Sequence, residues 1–293
     1  MSRLALMLIA LALSSSVGRC GEVYVERDAS GKPTDLVHNG SGDQLVAFLR
    51  DKNNNVLFPT IKTVRLLQHQ VDADEINSLI ALKSLQYLEL GDHPDEVTLA
   101  AGALSQIRHL PTIEHLSIHG TGPVNDFDWL DSLHKLRSLT LSSSCLYTRD
   151  VFQRIGELRT LESLSVRCRF PITEFDWMRA LTQLEQLDLC TGGVTAGDFS
   201  GFAALNKLKS LSVSGHKFSN RDLLDLAKHV GDRLEFLSID IDGECMIETF
   251  TRFSALKKLV ARRANATVRS PRTVDTILVF EIPEGKEKDG HNP

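Results

Sequence analysis

The stretch Leu181-Thr-Gln-Leu184-Glu-Gln-Leu187-Asp-Leu189 decides the fold, because near copies of it recur along the chain. Downstream stands Leu205-Asn-Lys-Leu208-Lys-Ser-Leu211-Ser-Val213; upstream stand Leu158-Arg-Thr-Leu161-Glu-Ser-Leu164-Ser-Val166 and Leu133-His-Lys-Leu136-Arg-Ser-Leu139-Thr-Leu141. Further towards the N-terminus come Leu110-Pro-Thr-Ile113-Glu-His-Leu116-Ser-Ile118, Leu82-Lys-Ser-Leu85-Gln-Tyr-Leu88-Glu-Leu90 and a weaker Ile61-Lys-Thr-Val64-Arg-Leu66. Towards the C-terminus come Leu234-Glu-Phe-Leu237-Ser-Ile239, Leu256-Lys-Lys-Leu259-Val-Ala261 and a degenerate Val274-Asp-Thr-Ile277-Leu-Val279. Taking Val64, Leu88, Leu116, Leu139, Leu164, Leu187, Leu211, Leu237, Leu259 and Ile277 as equivalent, the steps are 24, 28, 23, 25, 23, 24, 26, 22 and 18 residues.

A period in the twenties marks a solenoid. Each copy mixes two spacings: L-x-L alternation suits a short strand with one buried face, and L-x-x-L turns the chain into it. No single copy can bury its leucines alone, so stability comes from each repeat and its interfaces with its neighbours. On these residues the chain resembles the leucine-rich repeat proteins over residues 58–282. It looks most like the ribonuclease-inhibitor-like and cysteine-containing branches, in a bacterial-type secreted member, although its repeats are shorter than theirs. Where the family places an asparagine after the strand, this chain has His93, Thr121, Ser144, Arg169, Gly192, His216 and Asp242.

The second half of each repeat also recurs. Val124-Asn-Asp126-Phe-Asp-Trp129-Leu130, Ile172-Thr-Glu-Phe-Asp176-Trp177-Met178, Val194-Thr-Ala-Gly-Asp198-Phe199 and Phe218-Ser-Asn-Arg-Asp222-Leu223-Leu224 each set a polar residue before an apolar stripe. That pattern predicts an N-cap and a helix. The resulting expectation is an α/β leucine-rich repeat solenoid of horseshoe form, with a parallel concave sheet of about ten strands and convex helices.

At the start, basic Met1-Ser-Arg3, apolar Leu4 to Leu13 and small Ser14-Ser-Ser16-Val-Gly18 read as a secretory signal over residues 1–18, and so as a secreted or periplasmic protein. The apolar run is well short of the roughly 20 residues a membrane span needs. Lipid anchoring at Cys20 is disfavoured by Arg19, which stands where that signal wants a small residue. Residues 19–57, with Val23-Tyr-Val25, the turn-rich Asp28 to Pro33 and apolar Leu45 to Leu49, are expected to cap the first coil as a strand or hairpin with a short helix, and 283–293 to form a disordered tail. The sequons Asn39-Gly-Ser41 and Asn265-Ala-Thr267 matter only in a glycosylating host.

Composition is that of an ordinary exported globule, 42% hydrophobic and 24% charged. The net charge of −5, becoming −6 once Arg3 leaves with the leader, speaks against specific nucleic-acid binding. Cys145, Cys168 and Cys190 fall at different offsets from their strands, which reads as free thiols near the turns, with a Cys168–Cys190 bridge as the alternative. Zinc would require a C-x-x-C pair, and the chain has none.

Catalytic signatures are likewise missing: there is no G-x-S-x-G, H-E-x-x-H, phosphate-binding loop or G-x-G-x-x-G. No cofactor is implied. His115 and His119 lie on one face of a strand but about 13 Å apart along it, too far to share a metal. Asp126, Asp128, Asp176 and Asp198 recur at one point of the repeat, as helix caps would. Trp129 and Trp177 occupy the slot filled elsewhere by Phe199 or Leu223, which predicts core packing.

The remaining site is the open sheet face. Of the 24 side chains expected there in eight repeats, nine are serine, a poor interface anchor. Partner contacts are therefore expected near the ends, at Tyr87, His115 and His119, and at Arg167, Phe236, Lys258, Arg262 and Arg263. Between Thr251 and Arg272 the chain carries seven basic and no acidic residues, so the C-terminal rim reads either as a solvated edge or as a site for an anionic surface or polyanion. The function expected is non-enzymatic binding of another protein. A structural or envelope-associated repeat protein without a specific ligand is the first alternative, and an enzyme of unrecognised type the second.

Overall fold

The structure is a computed structural model that describes residues 23–40, 42–67, 70–91, 97–121, 127–142, 149–168, 171–172, 174–192, 199–241, 247–264 and 274–281. The leader-like segment 1–18, Cys20, Cys145, Cys245, His93, Ser144, Arg169, Asp242, Asp126, Asp198, Asn265, Arg269, Arg272 and the 283–293 tail lie outside the described residues. Of Arg263 the backbone alone is described. The chain divides into two compact units, Met1–Leu136 with Ser142–Cys145, and Arg137–Leu141 with Leu146–Pro293.

In the first unit, β1 (Val23–Arg27), β2 (Pro33–His38), β3 (Thr63–Leu66), β5 (Tyr87–Leu90) and β7 (His115–Thr121) lie side by side in that order. β1 is antiparallel to β2, and β2, β3, β5 and β7 are parallel. Two short strands, β4 (Gln70–Val71) and β6 (Val97–Leu99), make a second small ladder against the end of β7. The hairpin between β1 and β2 is held by Asp28, whose carboxylate accepts from the Ser30 hydroxyl at 2.6 Å and from the Lys32 amide at 3.0 Å. Those donors hold the Asp28 carboxyl below its usual range. Beneath the sheet, His38 at the end of β2 meets Glu75 at 3.7 Å, both fully buried, which ties the helix Ala73–Ser78 to the cap strand.

In the second unit, β8 (Ser138–Ser142) stands beside β9 (Ser163–Arg167), followed by β10 (Gln186–Cys190), β11 (Ser210–Phe218), β12 (Phe236–Ile241) and β13 (Lys258–Ala264). β9 to β13 are parallel, with Leu164, Leu187, Leu211, Leu237 and Leu259 level with one another and a register shift in β11 between Val213 and Lys217. The degenerate copy around Ile277, expected as one more parallel strand, is instead β14 (Val274–Glu281), antiparallel to β13. The reason is chain length: segment 265–273 is shorter than the dozen or so residues a parallel crossover takes.

Strand side chains alternate as the spacing requires. Leu187 and Leu189 are buried while Gln186 is exposed and Asp188 half-buried, and the pattern repeats in β9 and β11. Each buried leucine is worth about 1.5–3 kcal/mol of transfer free energy, realised only because the next coil covers it. Along the N-terminal ends of the second unit's strands, the carbonyls of Arg137, Glu162, Glu185, Lys209 and Glu235 each accept two amides from the following coil. The side chains of the same residues pair as Arg137–Glu162, Lys209–Glu185 and Lys257–Glu235 at 2.8, 3.0 and 3.1 Å. The Glu185 carboxylate keeps the Lys209 ammonium above its ordinary pKa.

The return segments differ from the expected helices. Asp128–Ser132, Asp176–Ala180 and Ser200–Ala204 are 3-10 turns, each entered from a phenylalanine whose side chain cannot cap. Asp176 therefore does not cap a helix; it pairs with Arg179 at 2.9 Å. The three turns sit in steps of 23, 23 and 24 residues, whereas the α-helices Arg149–Gly156 and Asn220–Val230 sit in steps of 25 and 26. The shorter α-helices Ala73–Ser78 and Ile247–Phe250 sit in steps of 24 and 22, so step length alone does not choose the kind of return. The 28-residue step spends its surplus on β6.

Between coils the returns pack tightly. A Cβ on Gly156 would collide with the Trp177 carbonyl oxygen, and one on Gly201 with that of Phe175. Phe175, Phe199 and Phe218 stack in sequence with ring centroids 5.8 and 5.7 Å apart. Trp129 is fully buried, as its slot predicts, and Trp177 is half-buried against Phe152 at 5.1 Å.

Candidate protein-binding face

The open face of the first unit is assembled row by row from strand parity and register. Because Leu36 and His38 of β2 point into the core, Asp35 and Val37 face outward, and their antiparallel partners Glu26 and Tyr24 share that face. One row then runs Glu26, Asp35, Thr63, Tyr87, His115, and the next Tyr24, Val37, Arg65, Glu89, Ser117. Tyr24 is 55% exposed, one of three exposed large hydrophobic side chains among the described residues. The Tyr87 and His115 rings lie 6.1 Å apart, and Arg65 meets Glu89 at 3.5 Å. An aromatic cluster beside a half-exposed ion pair is the composition from which interface anchors are made.

Of the residues singled out from sequence, Tyr87 and His115 are thus brought together. His119 is not with them: it lies further along β7, its Nε2 2.9 Å from the Ser117 hydroxyl. Ser117 itself is buried, which removes it from the accessible face. Tyr24 and Val37 escaped the sequence reading because residues 19–57 read as a cap, and Arg65 because its copy is the weakest of the series. The signal was present in the alternation around Leu36 and His38, and in Arg65 between Val64 and Leu66 of the weakest copy.

On the second unit, Phe236 of β12 is level with Lys258 of β13, and Arg167 is exposed at the end of β9, away from both. Arg262 is engaged: its guanidinium stands 3.6 Å from Asp240, which also accepts the Gly215 amide at 3.0 Å. With Lys257 held by Glu235, two of the seven basic residues of the C-terminal run are already neutralised by carboxylates. Ser163, Ser165, Ser210, Ser212 and Ser214 face outward, half-buried.

Neither of the two cysteines among the described residues is in a disulfide; Cys190 ends β10 and Cys168 directly follows β9. The Cys168 amide donates to the Cys190 carbonyl at 2.8 Å. Cys168 follows Leu164 and Val166 into the core, while Cys190 follows Gln186 and Asp188 onto the open face, so the sheet stands between their sulfurs. Among the described residues there is no cluster of three metal-ligating side chains, and no helix is long and apolar enough to cross a membrane.

No family model and no curated protein sequence matches the chain. Solved structures do. The LRR ectodomain of the Arabidopsis receptor kinase HAESA, in complex with an extended IDA peptide hormone, superposes with a TM-score of 0.54 at 16% identity over 89% of this chain and 43% of its own. The chain thus spans less than half of that ectodomain. An internalin from Listeria monocytogenes gives 0.43 at 16% identity, over 78% of this chain and 74% of its own. An LRR protein of Leptospira interrogans gives 0.44 at 17%, over 73% and 64%. In-register leucines, parallel-dominated sheets and the likeness to the HAESA ectodomain together make this a chain of leucine-rich-repeat fold.

Proposed function

We propose that the protein is an exported, bacterial-type leucine-rich-repeat module that holds another protein on the open sheet face of its first unit and performs no chemistry itself. The observation that carries this is the outward-facing set of exposed Tyr24 and His115 with half-buried Val37 and Tyr87, beside Arg65 and Glu89. Tyrosine and arginine supply most interface anchors, and truncating one typically costs 2 kcal/mol or more, about thirty-fold in Kd. The HAESA ectodomain is seen with a peptide hormone bound, and we carry protein or peptide binding across as a mode of action. Export rests on the leader-like residues 1–18, and the ribonuclease-inhibitor-like branch on the α-helical returns Arg149–Gly156 and Asn220–Val230.

The test is affinity capture from the extracellular or periplasmic fraction with the native chain and with a Tyr24→Ala, Tyr87→Ala, His115→Ala variant of unchanged melting temperature. Specific capture by the native chain and its loss in the variant are expected. Equal capture by both would remove the site from this face. Capture by neither would favour a structural or envelope-associated role, to which the serine-rich face of the second unit points. A second proposal, an anionic surface or polyanion at Lys258, Arg262 and Arg263, is favoured by the exposure of Lys258 and predicts salt-sensitive retention on heparin.

A further inference from the structure

The outer surface of the second unit carries a groove between helix Asn220–Val230 and the turn at Thr251–Arg252, separate from the open sheet face. The helix buries Leu223, Leu226 and Val230 against the core. Leu224 is left 43% exposed in the groove. Arg221, Leu224 and Lys228 stand three and four residues apart and so form one stripe along the helix, with Arg252 on the facing wall.

The charges in this groove are unevenly accessible. Asp222 is only 5% exposed, and its Oδ2 accepts both the amide and the hydroxyl of Ser219 in the capping box. Asp225 accepts the Phe199 amide and the Lys228 ammonium, at 3.4 and 3.1 Å. Arg221 and Arg252 are exposed and make no ion pair among the described residues. A chain of net charge −5 therefore presents, among the described residues, two exposed guanidinium groups without an ion pair and the Lys228 ammonium shared with Asp225 around one exposed leucine.

We propose that this groove is a docking site for an acidic peptide segment carrying an aliphatic side chain. The carboxylates engage Arg221 and Arg252 from the two walls, and the aliphatic group covers Leu224. A peptide is the occupant because it brings carboxylates and an aliphatic side chain together, matching Arg221 and Arg252 on either side of the exposed Leu224. Charge complementarity of this kind sets on-rate and specificity and is screened within about 8 Å at physiological ionic strength.

The test uses the full chain and a fluorescein-labelled EELLEE peptide, read by fluorescence anisotropy at low salt. Saturable binding is expected, weakening about tenfold or more between 20 and 200 mM salt, as screening of several contacts requires. Arg221→Glu with Arg252→Glu should abolish it, and Leu224→Ser should weaken it several-fold, all with an unchanged melting temperature. A KKLLKK peptide should not bind. Tyr24→Ala with Tyr87→Ala should leave the EELLEE signal intact, which keeps this site distinct from the open face. Absence of saturation, equal binding by the Arg221/Arg252 variant, or retention on phosphatidylserine vesicles without peptide binding overturns the proposal.

Discussion

Burial constrains the charge of His216. Its ring packs edge-on to Phe218 at 4.7 Å, and Nε2 has no hydrogen-bond partner among the described residues. Burial lowers its pKa below the usual 6.5, with Asp222 at 3.9 Å and Asp240 opposing that shift in part. Because the folded chain resists protonation more than the unfolded chain does, the unfolded state binds more protons as pH falls through 6.5, and stability drops there. The melting temperature should fall between pH 7.5 and 5, and His216→Phe should flatten that fall; an unchanged pH profile in the variant would contradict the assignment. The thiols make a second prediction at this scale. Cys190 should react with a maleimide in the native protein and Cys168 only after unfolding, and a linked Cys168–Cys190 peptide in mass spectrometry would show that the sheet does not separate them.

Among the described residues, helix Asn220–Val230 is the one with a complete capping box. The Ser219 hydroxyl is 3.3 Å from the Asp222 amide, while the Asp222 carboxylate accepts the Ser219 amide. Ser219→Ala should cost about 1 kcal/mol of unfolding free energy in denaturant titration, whereas Asp128→Ala, at a 3-10 turn without such a cap, should cost far less. The coil register was legible in the sequence because L-x-L spacing places leucines on one face whatever the turn between them does. The kind of return was less legible, since i, i+3 apolar spacing serves α and 3-10 turns alike. Step length carried only part of the missing information: the two longest α-helical returns stand in the steps of 25 and 26, yet Ala73–Ser78 and Ile247–Phe250 are α-helical in steps of 24 and 22. The hairpin of β1 and β2 was legible in Val23-Tyr-Val25 and the turn residues Asp28 to Pro33, but not which of its faces is outward: the core face is marked by Leu36 and His38, and a buried histidine does not announce itself in a pattern of leucines. Half of the candidate face was lost with it.

At the scale of the whole molecule, the account rests on each coil lending its neighbour a cover for leucines it cannot bury alone. The adjacent residues Gln186 and Leu187 test that directly, since one faces solvent and the other is 2% exposed between Leu164 and Leu211. A carboxylate at position 187 is desolvated without a partner, at a cost of several kcal/mol that rivals the typical stability of a domain. The decisive measurement is thermal unfolding, followed by far-UV circular dichroism, of Gln186→Asp and Leu187→Asp beside the native chain. The predicted result is a melting temperature within a few degrees of native for Gln186→Asp and loss of the cooperative transition for Leu187→Asp. Similar curves for the two variants would contradict the assignment of these residues to opposite faces of a stacked repeat.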